Sequence, residues 1–277
     1  MGSDIGGIEA GSAQAINALP EEALRNPTGF QRSFFSSELS TTPDLQRVVD
    51  ATVLISEAPQ SPGGSGVIIR YDGKKYLVTA AHVISTTARD DKIVRYFYRD
   101  SNGALQEKTL NREELLFFGP TAEGNGFQPA DLVIIPFDGD NEGVEMSDLE
   151  MEIGRDADQV GAAIGFPFSF YPVWEKSTKP LISVGNMYKD SKDAVAPSER
   201  ETIDRYVRLT GKEWQDLRVF YEGRIDMGNS GGPLVDGRGR VLAICNGTTH
   251  GGWLEDSGTY RFVDFRPVLR DIVQEAA

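Results

Sequence analysis

Short apolar runs bounded by turn residues recur along the chain from residue 48 onward. ATVLIS (51–56), SGVIIR (65–70) and KYLVTA (75–80) open the series. The last two meet across Asp72-Gly73, a pair that tolerates the positive φ of a tight hairpin. IVRYFY (93–98) and LQEKTL (105–110) form a second such pair across Asn102-Gly103. Then come DLVIIPF (131–137), QVGAAIGFP (159–167), LISVGNM (181–187), RVFYEG (218–223), PLVD (233–236), RVLAIC (240–245) and TYRFVDF (259–265). Strand-length runs with almost no helical period between them predict an all-β protein of two barrels or sandwiches. Two segments carry the helical period instead. RPVLRDIVQEAA, at the C-terminus, sets Val268, Leu269, Ile272 and Val273 on one face. An insert at 188–217 holds the capping-box pattern Ser198–Glu201, an apolar face of Ile203, Tyr206 and Val207, and Gly211 as a stop. Residues 1–47, rich in Gly, Ala, Ser and Thr and weakly periodic, read as a flexible or surface-packed arm. The remainder divides into a first lobe, 48–150, and a second, 151–277.

Composition narrows the function. Hydrophobic residues at 39% and charged residues at 25% are those of an ordinary globular chain able to bury a core. Against 42 acidic residues stand 28 lysines and arginines, a net charge of −14. That excess repels nucleic acid and anionic membrane, so neither is an expected partner. The single cysteine, Cys245, allows no internal disulfide and favours a reducing, cytoplasmic setting. A periplasmic or secreted location would follow if a signal peptide had preceded this sequence; the present start has no apolar h-region. No apolar run is long enough to span a membrane.

The densest chemical signal is GNSGGPL (228–234), three glycines around Ser230. Glycine weakens regular structure and is kept where backbone takes unusual angles or approaches something closely. A turn of this kind can aim neighbouring N–H groups at an oxyanion formed on the serine. Serine is a poor nucleophile until a base takes its proton, and only two imidazoles exist, His82 and His250. His82 ends the strand run YLVTAAHVI, beside the small residues Ala80 and Ala81. An imidazole base needs a group that fixes its tautomer, generally a buried carboxylate. Asp131 opens ADLVIIPFD, whose apolar run Leu132–Ile135 implies a strand buried on both faces. A carboxylate entering such a strand is costly unless partnered. Gly228, Ser230 and Gly232 also match G-x-S-x-G, but an α/β-hydrolase elbow needs a following helix and an acid and histidine downstream. Here a strand and hairpin follow, so that reading fails.

TAAH at 79–82, the Asp131 strand and GNSGGPL, in that order, resemble the trypsin-like, chymotrypsin-fold serine proteases, over roughly residues 48–275. The resemblance implies two six-stranded antiparallel β-barrels with the site between them and a C-terminal helix. It places His82 and Asp131 on the first lobe and Ser230 on the second, with His82 as base then acid and Asp131 as its orienter. The N–H groups of Gly228 and Ser230 would form the oxyanion hole. Animal digestive members carry an aspartate just before the nucleophile; Asn229 stands there instead, as in bacterial HtrA-type and glutamyl endopeptidase groups. Unlike in HtrA-type enzymes, no PDZ domain is expected after the terminal helix.

The expected activity is thus peptide-bond hydrolysis of a peptide or protein substrate through an acyl-enzyme. The alternative is a silent or latent protease-fold binding protein, the latter awaiting a regulatory partner. By the resemblance, Arg224, six places before the nucleophile, lies at the base of the specificity pocket, where it would favour an acidic residue. His250 would add a second donor; if Arg224 instead turned outward to Asp226 or Glu222, a small pocket near Asn246 and Thr248 would remain. The insert at 188–217 precedes the strand that leads into the nucleophile turn, a position from which it would restrict the site. No cofactor and no metal is expected. DGDNEG (138–143) starts like a calcium loop but has Leu149 where the bidentate glutamate belongs. One cysteine and two histidines do not make a structural zinc set, and GGSG (63–66) precedes its strand, so it is no dinucleotide loop.

Overall fold

Every apolar run named above contains a strand in the computed structural model, which describes residues 35–36, 42–58, 63–87, 93–118, 131–151, 154–167, 179–189, 217–248 and 259–275. In chain order the elements are β1 (Phe35–Ser36), α1 (Pro43–Ala51), β2 (Thr52–Ser56), β3 (Gly63–Tyr71), β4 (Lys74–Thr79) and α2 (Ala81–Thr87). β5 (Arg95–Arg99), β6 (Leu105–Thr109), β7 (Phe117–Phe118), β8 (Val133–Pro136) and β9 (Val144–Glu145) complete the first lobe. The second holds β10 (Gly154–Gly165), β11 (Leu181–Lys189), β12 (Arg218–Glu222), β13 (Pro233–Val235), β14 (Val241–Thr248), β15 (Thr259–Val263) and α3 (Arg266–Glu275). The helical pattern of the 188–217 insert falls almost wholly outside the described residues, as do residues 1–34 of the arm.

In the second lobe the strands run β11-β10-β13-β14-β15-β12, and β12 pairs back onto β11, closing a six-stranded barrel. β1 adds to this ring from outside, with Phe35 opposite Ile182. Over the described residues the first lobe is a curved half-barrel of order β6-β5-β2-β3-β4-β8-β7, with β9 parallel to β3. Both hairpins form where the turn dipeptides stand. Asp72 and Gly73 have φ of 49° and 70°, and Gly103 has 78°. One apolar core runs from α1 through β3, β4 and β8 to α3, including Leu45, Ile68, Leu77, Ile134, Phe265 and Leu269. A second fills the closed barrel around Tyr221, Leu242 and Phe262.

Two helices differ from the sequence expectation. Residues 43–51, expected as the end of the arm and the start of the first lobe, form α1. Thr42 caps it, its Oγ1 accepting the Leu45 N–H (3.3 Å), and Pro43 fills the first turn, where its missing N–H costs nothing. Leu45, Val48 and Val49 then bury one face. His82 sits not at a strand end but in the first turn of α2, a short helix rich in β-branched residues that packing holds in place.

The connection between the lobes is fastened by α3. Arg266 forms a buried bidentate pair with Asp264 (2.8 and 2.7 Å), and its Nη1 donates to the carbonyls of Ser147 and Leu149 (both 2.9 Å). The Ser147 N–H in turn donates to the Val241 carbonyl (2.8 Å). Removing one member of a buried ion pair strands the other charge. Arg266→Ala is therefore expected to lower unfolding free energy by about 3–5 kcal/mol, read as an earlier midpoint in urea. A change below about 1 kcal/mol would show that the pair holds nothing together.

Candidate active site

β4 and β8 pair antiparallel with Thr79 opposite Val133, so residues just after Thr79 and just before Val133 share one end of the sheet. His82 and Asp131 are those residues. Asp131 is buried, and both of its oxygens are used: Oδ1 accepts the His82 backbone N–H (2.8 Å) and Oδ2 meets His82 Nδ1 (2.5 Å). An ionised carboxylate only accepts, which puts the proton on Nδ1 and leaves the lone pair on Nε2. Two bonds from one carboxylate to the backbone and ring of one residue fix the ring's orientation. The imidazole is 35% exposed and the carboxylate 7%, so the ring reaches solvent while the carboxyl that holds it is shielded.

The serine turn lies between β12 and β13. Its N–H groups divide into two sets. Those of Asn229, Gly231 and Gly232 donate to the carbonyls of Asp226 (3.1 Å), Cys245 (2.7 Å) and Asn229 (2.8 Å). Those of Gly228 and Ser230 meet no acceptor among the described residues. The turn thus leaves two N–H groups, two residues apart and flanking Asn229, without an acceptor among the described residues. Gly231 has φ +80°, and a Cβ there would come within 2.2 Å of the Ser65 carbonyl oxygen and Thr79 Oγ1, so no other residue fits. Asn229 is buried, its Oδ1 accepting the Asp226 N–H (3.2 Å).

Three observations bring the turn and the His–Asp pair together. A Cβ on Gly64 would touch both Val83 methyls (2.6 Å) and lie 3.0 Å from the Ser230 carbonyl oxygen, so the serine passes beside the residue after His82. The position of a Gly231 Cβ is also 2.9 Å from Ala80 N, at the entry to α2. Cys245, bonded to the turn through its own backbone, feels the Asp131 charge. The backbone of the Ser230 turn therefore runs beside the His82 helix at the boundary of the lobes, with no hydrogen bond joining Ser230 Oγ to His82 among the described residues.

The specificity candidates are less gathered. Arg224 is half-buried on the loop after β12, with its N–H donating to Ser183 Oγ (2.9 Å), which also bonds the Tyr221 hydroxyl (3.0 Å). Asn246 and Thr248 belong to β14, beyond Cys245, and His250 lies outside the described residues. In the acidic loop, Asp138 accepts from Lys108 and Asp140 from Ser101 Oγ (2.8 Å). Among the described residues no cluster of three or more His, Cys, Asp or Glu is placed to hold a metal ion. Sequence reasoning missed Ser65, which bridges the lobes at the turn and is braced by the Thr79 hydroxyl on its carbonyl; its only trace was the glycine–serine string GGSG.

A closed barrel and a half-barrel meeting at such a site define a chymotrypsin-like two-lobe protein. The trypsin-like peptidase domain profile matches residues 64–244, more than half of the sequence. The chain belongs to the trypsin-like peptidase family. Solved structures of similar fold include a serine endoprotease from Yersinia pestis, with a TM-score of 0.50 and 19% identity, covering 84% of this chain and 66% of that one. Deg5 superimposes with a TM-score of 0.53 at 19% identity, covering 91% of this chain and 94% of its own. The HtrA-type protease AlgW with a decapeptide gives 0.52 at 17%, covering 83% and 66%. The chain spans about two thirds of the length of the Yersinia and AlgW chains. No curated protein matches it in sequence.

Cys245 shows how dry the floor of this site is. Burial, with Asp131's charge adding, pushes its thiol far above the ordinary range. The neutral thiol is a poor nucleophile. Reaction with a disulfide reagent is expected only at the rate of unfolding; rapid labelling of the native protein would show that solvent reaches beneath the turn.

Proposed function

We propose that the chain is a serine endopeptidase acting through an acyl-enzyme. The observation that carries this reading is the buried Asp131 carboxylate bonded to both the backbone and the Nδ1 of His82, beside a serine turn with two unused N–H groups. In the reaction His82 Nε2 removes the Ser230 Oγ proton as Oγ attacks the scissile carbonyl carbon. The carbonyl oxygen becomes an oxyanion and takes the N–H groups of Gly228 and Ser230. Collapse of the tetrahedral intermediate breaks the C–N bond, and the imidazolium returns its proton to the leaving amine. Water, deprotonated by His82, then attacks the ester and frees Ser230. Asp131 stays ionised throughout, stabilising the imidazolium and holding its tautomer.

The substrate is a peptide or protein chain, in keeping with the decapeptide in AlgW. Arg224 remains the residue to which a preference for acidic side chains would trace, from its place six residues before Ser230.

A fluorophosphonate probe is expected to label the protein, with labelling lost in Ser230→Ala. Asp131→Asn is expected to lower kcat about 10⁴-fold while the protein still melts cooperatively, because the amide favours the wrong tautomer. An unlabelled wild type would favour a silent binding protein, and an Asp131→Asn enzyme of normal turnover would unseat the orienting acid.

A further inference from the structure

Ser65, in β3 of the first lobe, has no solvent exposure, and its polar groups are spent at the lobe boundary. Its N–H donates to the Ser230 carbonyl (2.7 Å), and its hydroxyl donates to the Gly228 carbonyl (2.6 Å). Its Oγ also accepts the Phe166 N–H (3.0 Å), and its carbonyl accepts the Thr79 hydroxyl (2.6 Å). The hydroxyl is thus oriented by a donor from β10's end while it donates to the turn.

Those first two bonds fall where they matter. Each N–H shares a rigid plane with the carbonyl of the residue before it. The Ser230 N–H lies in the plane joining residues 229 and 230. The planes on either side carry the Gly228 and Ser230 carbonyls, and Ser65 holds both. The Gly228 N–H lies one plane further back, hinged to the first of these through Gly228 itself. Gly228 has φ +95° and no side chain to resist rotation, so its plane swings easily unless a neighbour is anchored.

We propose that Ser65 is the positioning residue for the oxyanion donors: its hydroxyl and N–H clamp the two peptide planes that flank the Ser230 N–H. The role rests on the peptidase reading above. Ser65 touches no substrate; it acts through the turn, and from the other lobe. Donors set in place beforehand stabilise charge that exists only in the transition state, so the clamp bears on kcat more than on KM. A buried serine that merely satisfied its neighbours would bear on stability alone.

Ser65→Ala keeps the N–H bond to Ser230 and removes the hydroxyl. Its kcat on a small ester is expected to fall about 10²-fold with KM little changed, since donors displaced by a fraction of an ångström lose most of their effect. Affinity for a peptide boronate, which forms a tetrahedral adduct on the nucleophile, is expected to fall in the same proportion as kcat/KM. Thr52→Val, which loses the buried bond from Thr52 Oγ1 to the Val48 carbonyl (2.7 Å) far from the turn, is expected to melt earlier with kcat unchanged. A Ser65→Ala enzyme that melts earlier yet keeps normal kcat and boronate affinity would overturn the role. Should that variant fail to fold, Ser65→Cys, close in shape but a weak donor, gives the same two readings and is expected to be slow. A wild type with no turnover and no fluorophosphonate labelling would instead overturn the peptidase reading, and the clamp with it.

Discussion

The hydrogen bond from the Ser65 N–H to the Ser230 carbonyl joins the two lobes at the point where their chemistry must meet. A base on one body and a nucleophile on another gain from proximity only if the bodies keep a fixed register. Several features serve that register. Gly64 and Gly231 remove side chains that would wedge the lobes apart, Thr79 braces the Ser65 carbonyl, and Arg266 fastens the connection on the far side. Each is a short-range contact between residues distant in sequence.

Electrostatics divides the labour within that frame. The Asp131 carboxyl is buried, and both of its oxygens are engaged by His82, so neither is left as an orphaned buried acceptor. The imidazole beside it keeps a face toward solvent. The turn contributes no formal charge; its two unused N–H groups are partial positive poles held in place by the bonds around them. Beneath, burial pushes the Cys245 thiol far up, which keeps it in its neutral form.

Much of this was legible in the sequence, for reasons that can be named. Strands such as VIIR and LVIIP announce themselves because a buried strand needs consecutive apolar residues, and the hairpins because Asp72-Gly73 and Asn102-Gly103 accept positive φ. The His–Asp pair was readable from motif order, and its geometry followed from the β4–β8 register. α1 was missed although Thr42 and Pro43 are proper start signals, because nine residues hold too few turns for a clear period. α2 was missed because Val, Ile and Thr disfavour a helix that only tertiary packing supports. Ser65 was invisible as a functional residue: its partner Gly228 lies 163 positions away, and no local pattern reports a contact of that range. Arg224 shows the opposite case, where position along the chain suggests a role that depends on side chains around it.

The most direct measurement is a crystal structure of the covalent adduct formed by a fluorophosphonate on the full chain. The expected result is a phosphorus–oxygen bond to Ser230 Oγ, with the phosphonyl oxygen within hydrogen-bond reach of the Gly228 and Ser230 N–H groups and the Ser65 hydroxyl still on the Gly228 carbonyl. A phosphonyl oxygen turned away from both N–H groups, or an adduct on any other residue, would contradict the assignment of this turn as the reacting centre.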